Sequence, residues 1–300
     1  MSESTYRNFA VAGVGTIGKY ILEELLNQKA AGKVDEIAVI SRAESPSPSI
    51  PSQGVKYIQT DYSPSSLPDL VSALTKYKID VVICTVGIPA LFAQQMVLAS
   101  ACKEAKVGTF IPSHFGLRPG RPNVPTDIEL KEKLGNGPDG VGLTTTIVGS
   151  FADMIFKTVS VFHITLEMGG EALIPGDGTT PVSWTGRRDI ARYIAYIVTT
   201  LPPSKLRDRT LRFEGQRISL NAIVKEYEAL TGKKINVTFL PIEELEENVR
   251  KNPNDWGSRL RLTWAKGEGL VNFGEDSDVD NFEYPEWNPK SVVDIILGKD

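Results

Sequence analysis

The stretch Phe9-Ala-Val-Ala12-Gly13-Val14-Gly15-Thr16-Ile17-Gly18, which runs on into a stripe of Ile17, Ile21 and Leu25, decides how the chain is read. An apolar strand entering G-x-G-x-x-G and leaving as an amphipathic helix is the setting in which that glycine spacing has a physical purpose. Gly13 allows a tight turn, and Gly15 lets the backbone approach a pyrophosphate. Gly18 lets helix and strand pack closely, while Thr16 and Ile17 stand at the helix start, whose amides face the anion.

Outward from this loop, strand and helix patterns alternate. Residues 36–41, 55–59, 80–86, 109–111 and 144–148 read as strands, with helices over 17–28, 67–77 and 90–105. Continuous apolar strands alternating with helices predict an α/β fold: a Rossmann-type, doubly wound parallel sheet covered on both faces. That domain is expected over residues 1–150. After it the alternation breaks down, and short strands near 212–213 and 236–240 mix with helices over 187–200, 220–230 and 242–249. A smaller mixed α/β substrate domain is expected over 151–300, with parts returning to the first sheet. Residues 43–54, 118–125 and 135–142 read as Pro-, Ser- or Gly-rich loops, and the six carboxylates of 274–287 as a solvated tail.

The end of the second strand selects the cofactor. An acidic residue there would bond the ribose 2′-hydroxyl of NAD, but this chain places Ser41-Arg42 at that point, with Glu44 beyond it in the loop. An arginine fork suits a 2′-phosphate, so NADPH is expected over NADH. Thr85, Val86 and Gly87 end the fourth strand, on the edge where ligands bind in such sheets.

Composition narrows the function classes. The 300 residues are 41% apolar and 23% charged with a net charge of −4, and no basic cluster suits a nucleic acid. The longest apolar run, 81–93, is broken by Gly87 and Pro89 and is too short for a membrane span. Two cysteines in apolar stretches, Cys84 and Cys102, and a polar N-terminus point to a reduced, cytoplasmic setting. No Cys/His/carboxylate cluster has metal-ligand spacing, so no metal is implied. The tyrosine–lysine catalyst of ordinary short-chain dehydrogenases is absent, because none of the nine tyrosines has Lys four residues on.

Gly87 … Gln94, then Phe110-Ile-Pro-Ser-His-Phe-Gly116, then Leu130-Lys-Glu-Lys-Leu134 resemble the isoflavone reductase-like and NmrA-like members of the atypical short-chain dehydrogenases. The resemblance covers the first half. It weakens after Ser150, where Pro175-Gly-Asp-Gly178 and Arg188-Asp-Ile-Ala191 are similar to family landmarks. It implies an NADPH-dependent reductase with Gln94, Pro112 and Ser113 beside the cofactor. Counting back from Gly142, it puts the family's catalytic lysine on Lys131, with Lys133 as near competitor, and the cofactor beside it. A lysine there would exchange a proton with a phenol or carbonyl. Residue pattern alone favours reading Lys131 as a surface charge on an amphipathic helix, among Glu129, Glu132 and Lys133.

Two departures stand out. His114 replaces the family's carboxylate in Pro-Ser-x-Phe-Gly; it either handles a proton or fills space. Gly149-Ser-Phe-Ala152 replaces a substrate-side segment, leaving Phe151, Met154 and Ile155 as an aromatic-pocket lining or as core. His163 reads as structural. The expected partner is a small, aromatic molecule, with no nucleic acid or membrane, and the protein a monomer or homodimer. The alternatives are an NADP(H) sensor, with an intact phosphate loop and no catalytic lysine, or a scaffold with a vestigial site.

Overall fold

A computed structural model describes residues 4–42, 54–87, 91–116, 125–158, 164–166, 170–273 and 279–299. The chain divides into two compact units. One comprises 1–114, 119–146 and 190–211, and the other 115–118, 147–189 and 212–300.

The first unit is built on a seven-stranded sheet. Its strands are β1 (Asn8–Ala12), β2 (Glu36–Ser41), β3 (Lys56–Gln59), β4 (Val81–Cys84), β5 (Thr109–Ile111), β6 (Gly142–Ile147) and, from much later in the chain, β11 (Arg209–Arg212), in the order β11-β6-β5-β4-β1-β2-β3. The six early strands pair in parallel, and the order reverses at β1, which pairs with β2 on one side and β4 on the other. A crevice at that switch point, outside the carboxyl ends of the strands, is where doubly wound sheets bind ligands.

Period-2 alternation sends side chains to both faces of this sheet. Ala10, Ala12, Ala38, Ile40, Val82 and Cys84 share one core with leucines from α2 (Leu67–Lys76), α3 (Leu91–Glu104) and α4 (Asp127–Leu134). The predicted stripe of α1 (Gly18–Ala30) is real, since Gly18, Ile21, Leu22 and Leu25 are buried. From residue 190 onward, α5 (Arg187–Thr200) contributes Ile190, Ile194, Ile197 and Val198 to the same unit, all fully buried. The short α6 (Pro203–Leu206) then leads into β11. The strand expected near 212–213 is thus a sheet-edge strand that begins three residues earlier.

The second unit holds two three-stranded sheets. One runs β12-β10-β7, from β7 (Ser150–Phe151), β10 (Pro181–Thr185) and β12 (Gln216–Ser219). The other runs β13-β9-β8, from β8 (Ile164–Thr165), β9 (Glu171–Pro175) and β13 (Asn236–Leu240). Helices α7 (Leu220–Thr231), α8 (Ile242–Lys251), α9 (Trp256–Ala265) and α10 (Val292–Ile296) complete it. Its core centres on Trp184, with Phe156 and Trp264 each 5.2 Å away ring to ring. Both indole N–H groups find acceptors: Trp184 Nε1 donates to the Ile218 carbonyl at 3.1 Å and Trp264 Nε1 to Ser150 Oγ at 3.0 Å.

The expectation of a solvated acidic tail is corrected over its described part. Asp280 accepts from the Arg212 amide at 2.8 Å, and Asn281 bridges to Glu214. Trp287 is 9% exposed and donates to the Asp189 carbonyl. Apolar Trp287 and the amides that need acceptors outweigh the carboxylates' preference for water. His163, Glu44 and most of the 43–54 loop lie outside the described residues.

Candidate functional site

The glycine loop leaves β1 as a tight, locked turn. Gly13 adopts φ +85°, a conformation that side chains disfavour, and its amide donates to the Ile40 carbonyl at 2.9 Å. Thr85, at the end of β4, clasps the loop from across the switch point, its hydroxyl donating to the carbonyls of Ala12 and Gly13. A Cβ on Gly18 would collide with the Gly13 carbonyl and the Thr85 hydroxyl, so helix and loop touch only because glycine stands there. A Cβ on Gly15 would meet nothing within 4 Å, and Gly15 and Thr16 are exposed. Ile17, just before α1, is buried, no side chain caps the helix, and no acidic residue stands in its first turn.

This geometry passes the test for a dinucleotide: an open cradle over uncapped amides at a positive helix end, without a competing carboxylate. Arg42, exposed, immediately follows β2. Ser41 beside it is buried and shares a 2.7 Å hydrogen bond with Tyr57. Tyr62, past the end of β3, donates its hydroxyl to the Ile40 carbonyl at 2.8 Å, and burial holds that phenol well above its ordinary range.

The segments after β4 and β5 are tied together. Ser113 Oγ donates to the Val86 carbonyl at 3.0 Å, and the Ser113 amide donates to Gln95 Oε1 at 2.7 Å. Pro112 and Val86 are buried and Gly87 is exposed. The glutamine that bonds this corner is the fully buried Gln95, whereas its neighbour Gln94 is half-buried. One residue decides which side of α3 faces the sheet.

His114 follows in the same turn. Its side chain is 6% exposed, and Nδ1 lies 3.3 Å from Asp127 Oδ1, close but out of line for a hydrogen bond. Neither ring nitrogen has a hydrogen-bond partner. Asp127 opens α4 and accepts from Thr145 Oγ1 at 3.1 Å through Oδ2. The helix starts there because Thr126 and Glu129 form a reciprocal capping box. Asp127 and Thr145 were missed by sequence reasoning, although Thr-x-x-Glu was a visible helix-start signal.

Lys131 is placed elsewhere, which corrects the expectation that it sits beside the cofactor. Its ammonium donates to the Val141 carbonyl at 3.0 Å and to Asp208, before β6 and before β11 respectively. The Leu143 amide donates to the same Asp208 oxygen at 3.0 Å. Burial pushes the Asp208 carboxyl up, but the Lys131 ammonium, the Leu143 amide and the Arg207 charge outweigh it and hold it below the usual carboxylate range. Lys131 therefore closes the amino end of β6, opposite the edge bearing Gly13, Thr85 and Ser113. Lys133 is exposed on α4.

In the second unit, Phe151 and Met154 are half-buried, whereas Ile155 is 1% exposed within the core around Trp184. Ile155 is a packing residue and offers no surface to a ligand. Cys84 and Cys102 are free and buried, and burial pushes the Cys84 thiol up to about 12. Among the described residues no His/Cys/carboxylate group could hold a metal, and no helix is long and apolar enough to cross a membrane.

The NmrA-like family profile matches residues 9–264. Isoflavone reductase homolog P3 of Arabidopsis thaliana is 23% identical over 266 residues, 84% of each chain. Phenylcoumaran benzylic ether reductase Pyrc5 of Pyrus communis is 26% identical over 248 residues, 80% of each. The solved leucoanthocyanidin reductase–NADPH complex of Vitis vinifera has the same fold, with a TM-score of 0.77 over 97% of this chain and 98% of that one at 19% identity.

Proposed function

The chain belongs to the NmrA-like family, and from that premise we propose that it binds NADPH and reduces a small aromatic molecule. The observation that carries the reading is the open glycine loop. Gly15 faces free space, α1 begins without a carboxylate, and Arg42 stands where a 2′-phosphate would need a cation. Relatives named as isoflavone and phenylcoumaran benzylic ether reductases, and a leucoanthocyanidin reductase solved with NADPH, support the cofactor and the substrate class.

In this reading the turn from Gly13 to Gly18 holds the pyrophosphate and Arg42 the 2′-phosphate. Thr85 keeps the loop closed, and the segments 85–87 and 112–113, joined by the Ser113–Val86 hydrogen bond, border the nicotinamide. When bound, the reduced cofactor supplies a hydride.

The position of Lys131 favours a second reading, an NADP(H) sensor without turnover. Fluorescence titration with NADPH and NADH, followed by NADPH consumption with phenolic ethers, enones and aromatic ketones, separates the two. Preferential NADPH binding with turnover of any of these supports the reductase. Tight binding with no turnover across the panel supports the sensor, and failure to bind either dinucleotide overturns both.

A further inference from the structure

We infer that Asp127, positioned by His114 and Thr145, is the group that meets the hydroxyl of the bound substrate. The inference rests on the reductase reading above and assigns the proton-handling role to a residue other than Lys131, whose ammonium is held by the Val141 carbonyl and Asp208.

Three observations carry it. His114 is a nearly buried imidazole with both nitrogens unpartnered, and its Nδ1 lies 3.3 Å from Asp127 Oδ1. A buried polar group left unpaired costs about 1–3 kcal/mol, so such groups concentrate where a ligand or a reaction supplies the missing partner. Asp127 is the more exposed member of the pair, its side chain 39% exposed; Thr145 fixes Oδ2, and Oδ1 is buried without a hydrogen-bond partner, an acceptor left for a ligand to fill. Among the described residues no lysine or arginine pairs with it: Lys131 on the same helix is spent on Asp208, and Glu129 is turned back to Thr126. The pair also lies at the end of α4 that faces Thr145 and the turn after β5, on the carboxyl side of the sheet.

A carboxylate can only accept, so the ligand group it receives must donate, as a ring hydroxyl does. Asp127 holds such a hydroxyl in its neutral form. When proton transfer occurs, the ligand O–H bond breaks, an O–H bond forms on the Asp127 carboxyl, and the electron pair stays on the ligand oxygen. A site built on an ammonium would act in the opposite sense, stabilising the oxyanion before any proton moved.

That difference in sign is measurable without turnover. 4-Nitrophenol, whose absorption reports its ionisation, is titrated with pH on the NADP⁺-loaded protein. In wild type the ionisation midpoint of the bound probe is expected about one pH unit above that of the free probe, the order for a neighbouring like charge. Asp127→Asn should return it to the free value or below. His114→Gln should weaken probe binding and keep the direction of the shift. Circular dichroism checks the fold of both variants. A wild-type midpoint below the free value, a shift unaltered in Asp127→Asn, or no binding of the probe overturns the inference. NADPH binding is read separately by fluorescence: its loss in wild type sinks the reductase reading, whereas intact NADPH binding beside any of those three results sinks this inference alone.

Discussion

Asp127 and Lys131 stand one turn apart on the same face of α4, yet they serve opposite ends of the sheet. Asp127 meets Thr145, and Lys131 meets the carbonyl of Val141. Those contacts are four residues apart on extended chain, about 13 Å. The helix runs against β6, so each turn towards its C-terminus moves a side chain away from the phosphate loop. A lysine four residues late on the correct face becomes a clamp on the strand's beginning.

Replacing Lys131 with Met should therefore cost stability more than chemistry. Removing one charge-assisted partner from a half-exposed carboxylate is worth about 1 kcal/mol. Thermal melting should show a drop of a few degrees, while NADPH affinity and any NADPH consumption stay within about twofold of wild type, a free-energy change of no more than ~0.4 kcal/mol. A variant that melts like wild type and has lost turnover would reinstate Lys131 as a catalytic residue.

The same contact has a pH signature. The folded-state value of Asp208 is depressed, so its contribution is fully present above the unfolded value of about 3.9 and is lost as pH falls through the lower folded value. Urea unfolding across pH 5 to pH 2 should show an acid-side loss of stability that is shallower in Asp208→Asn. Parallel curves for the two proteins would refute the assignment.

Arg42→Ala tests the cofactor. Losing charge-assisted bonds to a 2′-phosphate costs about 1.5–3 kcal/mol, so NADPH should bind some 10- to 100-fold more weakly while NADH is unaffected. An unchanged ratio of the two affinities would reject the role.

Gly15 and Gly18 separate binding from folding. Gly15→Ala fills space that the protein leaves empty, so its melting temperature should match wild type while NADPH affinity falls at least tenfold. Gly18→Ala forces a methyl onto the Gly13 carbonyl and the Thr85 hydroxyl, a strain of about 1–3 kcal/mol that should lower the melting temperature even without cofactor. Equal melting of the two variants would contradict the packing described for the loop.

What the sequence made legible was what local pattern controls. Apolar runs located β1, β2, β4 and β5, the glycine loop located the switch point, and the stripe on α1 matched its buried face. Lys131 was misplaced because counting back from Gly142 fixes a position in the chain without fixing which end of the sheet it reaches. α4 stops at Leu134, and seven residues of turn separate it from β6. The bond from the Ser113 amide to Gln95 was not legible for a related reason, since it depends on the rotation of α3. The contact of His114 with Asp127 joins residues 13 apart in the chain, which only tertiary packing could bring together.

The return of β11 to the edge beside β6 has a bearing on how the protein is made. A nascent chain of about 150 residues already holds every segment of the phosphate cradle, but its sixth strand, buried along its whole length in the finished fold, still has a bare flank. Unpaired strand edges invite association with other chains. The nucleotide module cannot seal until residue 212 has left the ribosome, so cutting the gene at residue 150 should yield an aggregating fragment rather than a minimal binding domain.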